Sequence, residues 1–311
     1  PTEAPTEAPA EAPAAERAVV PAERARKLLE RVVTLYEQAV SPAGTAYLEA
    51  RGLTDAGLIR RFRLGFCGGT LGEKLPQAGE IHRELEGLGV LLPDGRERFE
   101  GCVVVPVYDA QGAIMTLYGR YAGKGGKRHM CLPDRRTGLW HALAATRYHE
   151  VVLVESVMDG LAVMMAEHDN VIGLQGAYGL TAEDVAFLKT AGVQRVKLLL
   201  DGDEPGRRAA ARLQERLSDG FYVQRYTLPA GHDPNSFLQA EGAVELSSFL
   251  AAAPEAVEEE EEEESVGALP PHPRRGGAPP RTPVVSGAHS VRKRNAHQRT
   301  GEGEGAATSD G

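Results

Sequence analysis

The chain has 311 residues, 42% of them hydrophobic, and carries a formal net charge of −9 at pH 7. This length predicts one or two domains, and the hydrophobic fraction is large enough for a sizeable core. The negative charge excludes a protein that is basic over its whole surface, although it is compatible with a local basic groove. No apolar run approaches the ~18 residues that a membrane-spanning helix needs, so we expect no membrane partner.

The two ends of the chain differ in composition from its middle. Residues 1–16 repeat Pro, Thr, Glu and Ala, which is typical of a disordered linker, and we expect this linker to extend over residues 1–20. Residues 251–311 contain the glutamate run Glu258 to Glu264 and then basic segments, and we expect a disordered tail there. The first residue is Pro and not Met, so we expect this sequence to be part of a longer protein.

Residues 21–145 predict a mixed α+β domain. A helix with one apolar face follows Pro21, short packed helices extend to about Phe62, and another helix is expected around Ile81 to Leu88. Two strands then flank the sequence Asp109-Ala110-Gln111-Gly112, which has the composition of a hairpin turn. A basic, glycine-rich stretch follows the second strand, with Arg120, Lys127 and Arg128.

Residues 146–250 alternate between short apolar runs and helical patterns. Strands are predicted at 151–154, 171–174, 193–200 and 222–228. Thr181 and Asp184 have the spacing of a capping box at the start of one of the intervening helices. Regular strand–helix alternation implies right-handed crossovers and a parallel, Rossmann-like sheet.

Carboxylates follow two of these predicted strands. Glu155 comes directly after the first strand, and Asp201 and Asp203 come directly after the third. In an open parallel sheet the carboxyl ends of the strands share one edge, and ligands bind there. Carboxylates gathered at this edge would repel one another without a cation, and Mg²⁺ prefers such oxygen ligands while keeping positions open for water and phosphate. The sequence therefore predicts a divalent-metal site for phosphoryl chemistry.

The three cysteines argue against a different kind of metal site. Cys67, Cys102 and Cys131 lie far apart, and none belongs to a C-x-x-C pair. We therefore expect neither a zinc site nor a disulfide framework in this chain. Reduced cysteines suit a cytoplasmic location.

Several motifs, in order along the chain, resemble those of a known family. Glu155 in its VVLVES setting and the sequence Asp201-Gly202-Asp203 resemble the two motifs of the TOPRIM domain. Other segments resemble the catalytic core of bacterial DnaG-type primases, namely Tyr47 to Leu53, Arg98-Phe99 with Gly101, Gly119-Arg120, and Leu228-Pro229 with Gly231 and Asp233-Pro234. The order and spacing agree over about residues 30–249, which makes the resemblance specific.

The resemblance implies a fold and an activity. The expected fold is α/β, with a TOPRIM parallel-sheet domain at 146–250 preceded by a mixed α+β primase-core subdomain at 21–145. The implied enzyme is a nucleotidyltransferase that makes short RNA primers from ribonucleoside triphosphates on a single-stranded DNA template. Its cofactor would be Mg²⁺ or Mn²⁺, and a replicative helicase is a further expected partner.

The resemblance also implies roles for individual side chains. Asp201 and Asp203 would hold the metal, and Glu155 would be a further ligand or a general base toward the 3′ hydroxyl. Asp159 would lie at the same edge as a catalytic residue, and Asp233 would join the metal ligands from a later loop. The side chains expected to contact nucleotide phosphates or the template are Arg120, Lys127 and Arg128.

The chain departs from the family pattern at three positions. Ser156 stands where the family usually has Gly, Cys102 where it usually has Arg, and Glu204 where a basic residue often follows the DGD motif. The zinc-binding module and the helicase-binding domain of the family are not recognisable in the sequence. The three substitutions bear on rate and template handling. The two unrecognised modules, together with the segment from Lys127 to Trp140, suggest a truncated or mobile-element version, or an incomplete sequence.

Other interpretations of the same residues remain open. The acids could hydrolyse phosphodiesters in a TOPRIM-type nuclease, or the chain could be a catalytically idle nucleic-acid-binding remnant. Acids at strand ends also act as helix caps and turn formers, and this role is as plausible for Asp233 as a functional one. The basic stretch from Lys124 to Arg128 could be a solvated loop.

Overall fold

A computed structural model describes residues 18–39, 42–75, 79–109, 111–123, 129–133, 138–174, 176 and 179–252. The linker predicted at 1–20 and the tail predicted at 251–311 lie almost entirely outside these residues, as do Lys127 and Arg128. In the part of the chain that is described, no helix is long and apolar enough to cross a membrane.

The first half of the chain begins with helices, as predicted. They are α1 (Ala22–Gln38), α2 (Pro42–Ala50), α3 (Ala56–Arg61), α4 (Leu71–Lys74) and α5 (Glu80–Gly87). The apolar face of α1 is buried, because Leu29, Val32 and Val33 recur at helical spacing. Helix α3 begins at Asp55, whose carboxylate accepts hydrogen bonds from the backbone N–H groups of the first turn. The sequence did not predict α4.

These helices pack against an antiparallel sheet of four strands in the order β1-β2-β3-β4. The strands are β1 (Gly65–Phe66), β2 (Cys102–Tyr108), β3 (Ile114–Tyr121) and β4 (His129–Cys131). The predicted hairpin between β2 and β3 is confirmed. Asp109 stabilises its turn, because Oδ1 accepts hydrogen bonds from the backbone N–H groups of Gln111 and Ala113. Strand β4 was not predicted, and it places His129 directly opposite Arg120.

The second half of the chain forms a parallel sheet, which confirms the predicted α/β class. Its strands are β5 (Glu150–Val154), β6 (Val171–Gly173), β7 (Arg195–Leu198) and β8 (Tyr222–Arg225), in the order β6-β5-β7-β8. The helices that connect and follow them are α6 (Val157–Met165), α7 (Ala182–Thr190), α8 (Glu204–Leu217), α9 (Pro234–Glu241) and α10 (Ala243–Ala251). The predicted capping box of Thr181 and Asp184 is present at the start of α7.

One hydrophobic core contains side chains from both sheets. Val103 and Tyr118 from the antiparallel sheet share it with Val152 and Met158 from the parallel region. Trp140, which is almost fully buried, belongs to the same core and forms an isolated bridge to the edge of β6. The division of the chain at residue 146 remains a prediction, but this shared core holds the two sheets side by side.

The Trp140 ring packs directly against α6. A Cβ atom on Gly160 would overlap the ring, so this helix approaches the tryptophan at a position without a side chain. Gly160 comes immediately after Asp159 in the first turns of α6. The packing of Trp140 therefore fixes the start of α6 relative to the end of the sheet.

Candidate active site

The carboxyl ends of β5 and β7 meet at one edge of the parallel sheet. The two strands are neighbours, with Leu153 opposite Leu198. Glu155 follows β5 directly, and Asp201 lies in the loop after β7. Because parallel strands place their ends at the same edge, the two carboxylates enter the same region from separate parts of the chain.

A cavity of about 160 Å³ opens at this edge and collects acidic and basic side chains. Four of the five predicted acids line it, together with one predicted basic residue, namely Glu155, Asp159, Asp201, Asp233 and Arg120. Its other charged or polar side chains come from Arg51, Tyr118, His129 and Ser156. The structure therefore brings together residues that are separated by up to 182 positions in the sequence.

Asp159 is the most deeply buried carboxylate of the cavity, with 5% of its surface exposed. Ser156 caps α6, and its hydroxyl donates a hydrogen bond of 2.5 Å to Asp159 Oδ2. Burial, and after it the negative charges of Asp233 and Glu155, together raise the pKa of Asp159 to about 7. The Ser156 hydroxyl and the backbone N–H of Asn235 act in the opposite direction. A carboxyl in this setting changes its protonation state close to neutral pH.

Two glycines allow the Asp201 loop to pack closely. A Cβ atom on Gly202 would lie 2.5 Å from the Pro229 carbonyl oxygen and 2.6 Å from that of Leu228. A Cβ atom on Gly206 would overlap the Asp201 carbonyl oxygen. All three contacts are closer than real Cβ atoms make, so the loop reaches this conformation only with glycine at these two positions.

Asp203 has a different environment from the other predicted ligands. It is exposed and does not line the cavity. Its Oδ1 accepts a hydrogen bond of 2.8 Å from the backbone N–H of Gly206 and so caps α8. One carboxylate oxygen is therefore engaged in the helix cap.

Asp233 is both a helix cap and a cavity-lining acid, and its predicted role as a metal ligand stays a prediction. It caps α9 through a reciprocal capping box, in which Oδ1 accepts a hydrogen bond of 2.6 Å from the backbone N–H of Ser236. It also lines the cavity. The backbone N–H of Gly202 donates to the carbonyl oxygen of His232 at 2.8 Å, which joins the Asp233 loop to the Asp201 loop.

The part of the cavity lining that comes from the antiparallel sheet carries basic and aromatic side chains. Arg120 is 8% exposed, and although burial works to lower its pKa, the neighbouring Tyr118 and Tyr47 hydroxyls raise it above the usual value. Among the described residues, neither hydroxyl has a hydrogen-bond partner of good geometry. The His129 ring stacks on Tyr118 at 6.3 Å, and burial, followed by the Arg120 charge, lowers the pKa of His129. The permanent positive charge on this side therefore belongs to arginine.

The sequence missed four cavity residues as site residues: Arg51, Tyr118, His129 and Ser156. Arg51 lies within a segment that carried the family resemblance, and that resemblance was a signal that it could belong to the site. His129 had none, because only the unpredicted strand β4 places it beside Arg120. Lys127 and Arg128 lie outside the described residues, and their predicted contacts stay predictions.

The carboxylate oxygens of the cavity are the kind of ligand that a hard divalent cation prefers. Among the described residues, however, too few of them lie close together to bind the ion without other ligands. Within the described ranges, no three His, Cys, Asp or Glu side chains are close enough to one another to hold a metal ion. Mg²⁺, however, is commonly bound by one or two carboxylates and completes its coordination with water and substrate phosphates. Acidic side chains that raise the pKa of Asp159 by mutual repulsion provide the negative charge that such an ion neutralises.

Comparisons with known proteins agree with this architecture. Residues 152–238 match a family described as Toprim-like. The chain is 30% identical over 241 residues to a DNA primase of Pseudomonas aeruginosa, covering 69% of this chain and 36% of that protein. It is 29% identical over 250 residues to a DNA primase of Pasteurella multocida, covering 73% and 42%. The chain thus spans less than half the length of these relatives.

Solved structures show the same relationship. A structure of the DnaG catalytic core is similar with a TM-score of 0.64 and 25% identity, covering 74% of this chain and 80% of that one. A DNA primase domain from Pseudomonas aeruginosa has a TM-score of 0.64 and 26% identity, covering 74% and 78%. A DnaG catalytic domain bound to single-stranded DNA has a TM-score of 0.62 and 25% identity, covering 74% and 81%.

Proposed function

Because the chain belongs to the DnaG-type DNA primase family and matches its catalytic core, we propose that it synthesises short RNA primers on single-stranded DNA for replication. The reaction is nucleotidyl transfer, in which a 3′ hydroxyl attacks the α-phosphate of a ribonucleoside triphosphate and pyrophosphate leaves. The substrates are ribonucleoside triphosphates and a DNA template, and the metal is Mg²⁺ or Mn²⁺. The protein acts in the cytoplasm, where a replicative helicase is its expected partner.

One observation carries the proposal: four carboxylates and two arginines face the same cavity at the end of a parallel sheet. The carboxylates suit a divalent cation, whereas the arginines suit the phosphate groups that such a cation accompanies. A site with only one of these two features would fit a wider range of chemistry. The relative whose structure contains single-stranded DNA supports the same class of substrate.

The five acids and Arg120 have separate roles in this reaction. Glu155 and Asp201 follow neighbouring strands, and we assign them to the metal, with Asp203 and Asp233 completing the set through water or through their oxygens outside the helix caps. A divalent cation held by these acids would supply positive charge to stabilise the oxygens of phosphoryl transfer. Asp159 or Glu155 accepts the proton of the 3′ hydroxyl, and the raised pKa of Asp159 suits proton exchange near neutral pH. Arg120 orients a phosphate by charge and hydrogen bonding.

The assay is primer synthesis by purified protein on single-stranded DNA with labelled ribonucleotides and Mg²⁺ or Mn²⁺. We expect short oligoribonucleotides from the wild-type protein and none from Asp201→Asn. Nicking of plasmid DNA without nucleotides would identify a nuclease instead. DNA binding that survives Asp201→Asn, with no metal-dependent product from either protein, would identify a binding protein without catalytic activity. The mobile-element type stays a prediction, since much of the Lys127 to Trp140 segment lies outside the described residues.

A further inference from the structure

The side chain of Asn235 connects the acidic loop to the first half of the chain. Asn235 is fully buried in the first turn of α9, two residues after Asp233. Its Oδ1 accepts a hydrogen bond of 3.0 Å from Arg51 Nη1, and its Nδ2 donates one of 2.9 Å to the Arg51 carbonyl oxygen. One amide group therefore holds both the backbone and the guanidinium of an arginine that is 184 positions away.

Arg51 has an unusual environment for an arginine beside a group of acids. It lines the cavity that contains the four carboxylates, yet it forms no ion pair with any described carboxylate. Its guanidinium lies over the Tyr47 ring, with Cζ 5.4 Å from the ring centroid. Within the described residues, its only side-chain hydrogen bond goes to Asn235. Since a guanidinium has five N–H donors, most of them remain available in the cavity.

We propose that Asn235 is a positioning residue, which holds the Arg51 guanidinium in the cavity so that it binds a phosphate group of the nucleotide or of the template strand. The inference rests on the proposed primase function and adds to it a residue that acts through another. A neutral amide suits this role, because it fixes the arginine without neutralising its charge. A carboxylate at the same place would pair with Arg51 and compete with the phosphate.

The test is a double-mutant cycle on Asn235→Leu, Arg51→Ala and the double variant. Asn235→Leu keeps the approximate volume and removes both hydrogen bonds. The measurements are the KM for ribonucleotides and kcat in primer synthesis, and the Kd for a fluorescent single-stranded oligonucleotide by anisotropy. A change in KM alone assigns the phosphate to the nucleotide, whereas a change in Kd alone assigns it to the template strand. Thermal unfolding of every variant reports on the fold.

We expect Asn235→Leu and Arg51→Ala to weaken the same constant by about tenfold, as for the loss of a hydrogen bond to a charged group. The same constant should be no more affected in the double variant than in Arg51→Ala, because Asn235 has no further role once the guanidinium is gone. Gln239→Ala is the matched control. Its side chain also donates to Asn235 Oδ1 but is exposed and does not line the cavity, so near wild-type constants are expected.

Two results would overturn the inference. Asn235→Leu could leave both KM and Kd unchanged, or it could weaken them by a similar further factor in the Arg51→Ala background, which indicates a general structural role. If Asn235→Leu acts only by damaging the fold, its effect remains in the Arg51→Ala background, and the double-mutant cycle detects it. Failure of the proposed function is a separate outcome, since it would appear as absence of primers from the wild-type protein.

Discussion

Replacement of Asp159 by Asn should stabilise the metal-free protein above neutral pH. In the folded protein, burial and then the charges of Asp233 and Glu155 raise the pKa of Asp159 to about 7, compared with an ordinary value of 3.8. An acid with a raised pKa in the folded state destabilises the fold as it ionises. The free energy of unfolding should therefore fall as pH rises from about 4 to about 7 and should then stay level.

The size of the effect follows from the difference between the two pKa values. They are about three pH units apart, and each unit corresponds to about 1.4 kcal/mol, so the upper limit is roughly 4 kcal/mol. The realised value should be smaller, because Glu155 and Asp233 can move apart slightly to reduce the repulsion. Asn at this position can still accept the hydrogen bond that the Ser156 hydroxyl donates to Asp159.

The assay is urea unfolding of wild type and Asp159→Asn between pH 4 and pH 8, in the presence of EDTA. The difference in unfolding free energy should be near zero at pH 4 and greatest above pH 7. Added Mg²⁺ should reduce the difference, because a bound cation replaces the relief that the substitution provides. Parallel pH profiles for the two proteins would refute the explanation based on burial and repulsion.

Three further outcomes are expected. Mg²⁺ should raise the melting temperature of the wild-type protein, and Asp201→Asn should remove most of this rise; equal shifts for the two proteins in differential scanning fluorimetry would contradict the assignment of Asp201 to the metal. Gly202→Ala should cost ~2 kcal/mol or more in urea unfolding because its Cβ would meet two carbonyl oxygens, whereas Gly68→Ala, which meets nothing within 4 Å, should be nearly neutral. Asp203→Ala should destabilise the protein by ~1 kcal/mol through loss of the α8 cap, while Asp203→Asn should keep the cap. Full primer synthesis by a stable Asp203→Asn variant would show that Asp203 serves α8 and not the metal.

The acids at the edge of the parallel sheet could be predicted from the sequence, because the pattern that places each of them lies in the few residues before it. A buried strand reads as an unbroken apolar run, and the residue that follows it must lie at the end of the sheet. Glu155 and Asp201 need no other information once β5 and β7 are recognised as parallel neighbours. Asp159 follows from helical spacing after Glu155.

The basic side of the cavity could not be predicted in the same way. His129 reaches it only because β4 pairs with β3 in one particular register. Asn235 reaches Arg51 across 184 positions, and no periodicity in either segment specifies that contact. The dual placement of Asp233 was likewise undecidable from the sequence, since a helix cap and a cavity-lining acid have the same local pattern.

The contact between Trp140 and Gly160 links a buried aromatic ring to the position of a carboxylate in the cavity. The indole ring packs against the turn of α6 that carries Asp159. The position of this carboxylate relative to the other acids therefore depends on the size of the side chain at position 140. A thinner side chain at position 140 would let α6 settle toward the sheet and would draw one acid away from the others. The geometry of the acidic cavity therefore depends on a buried position that does not line it.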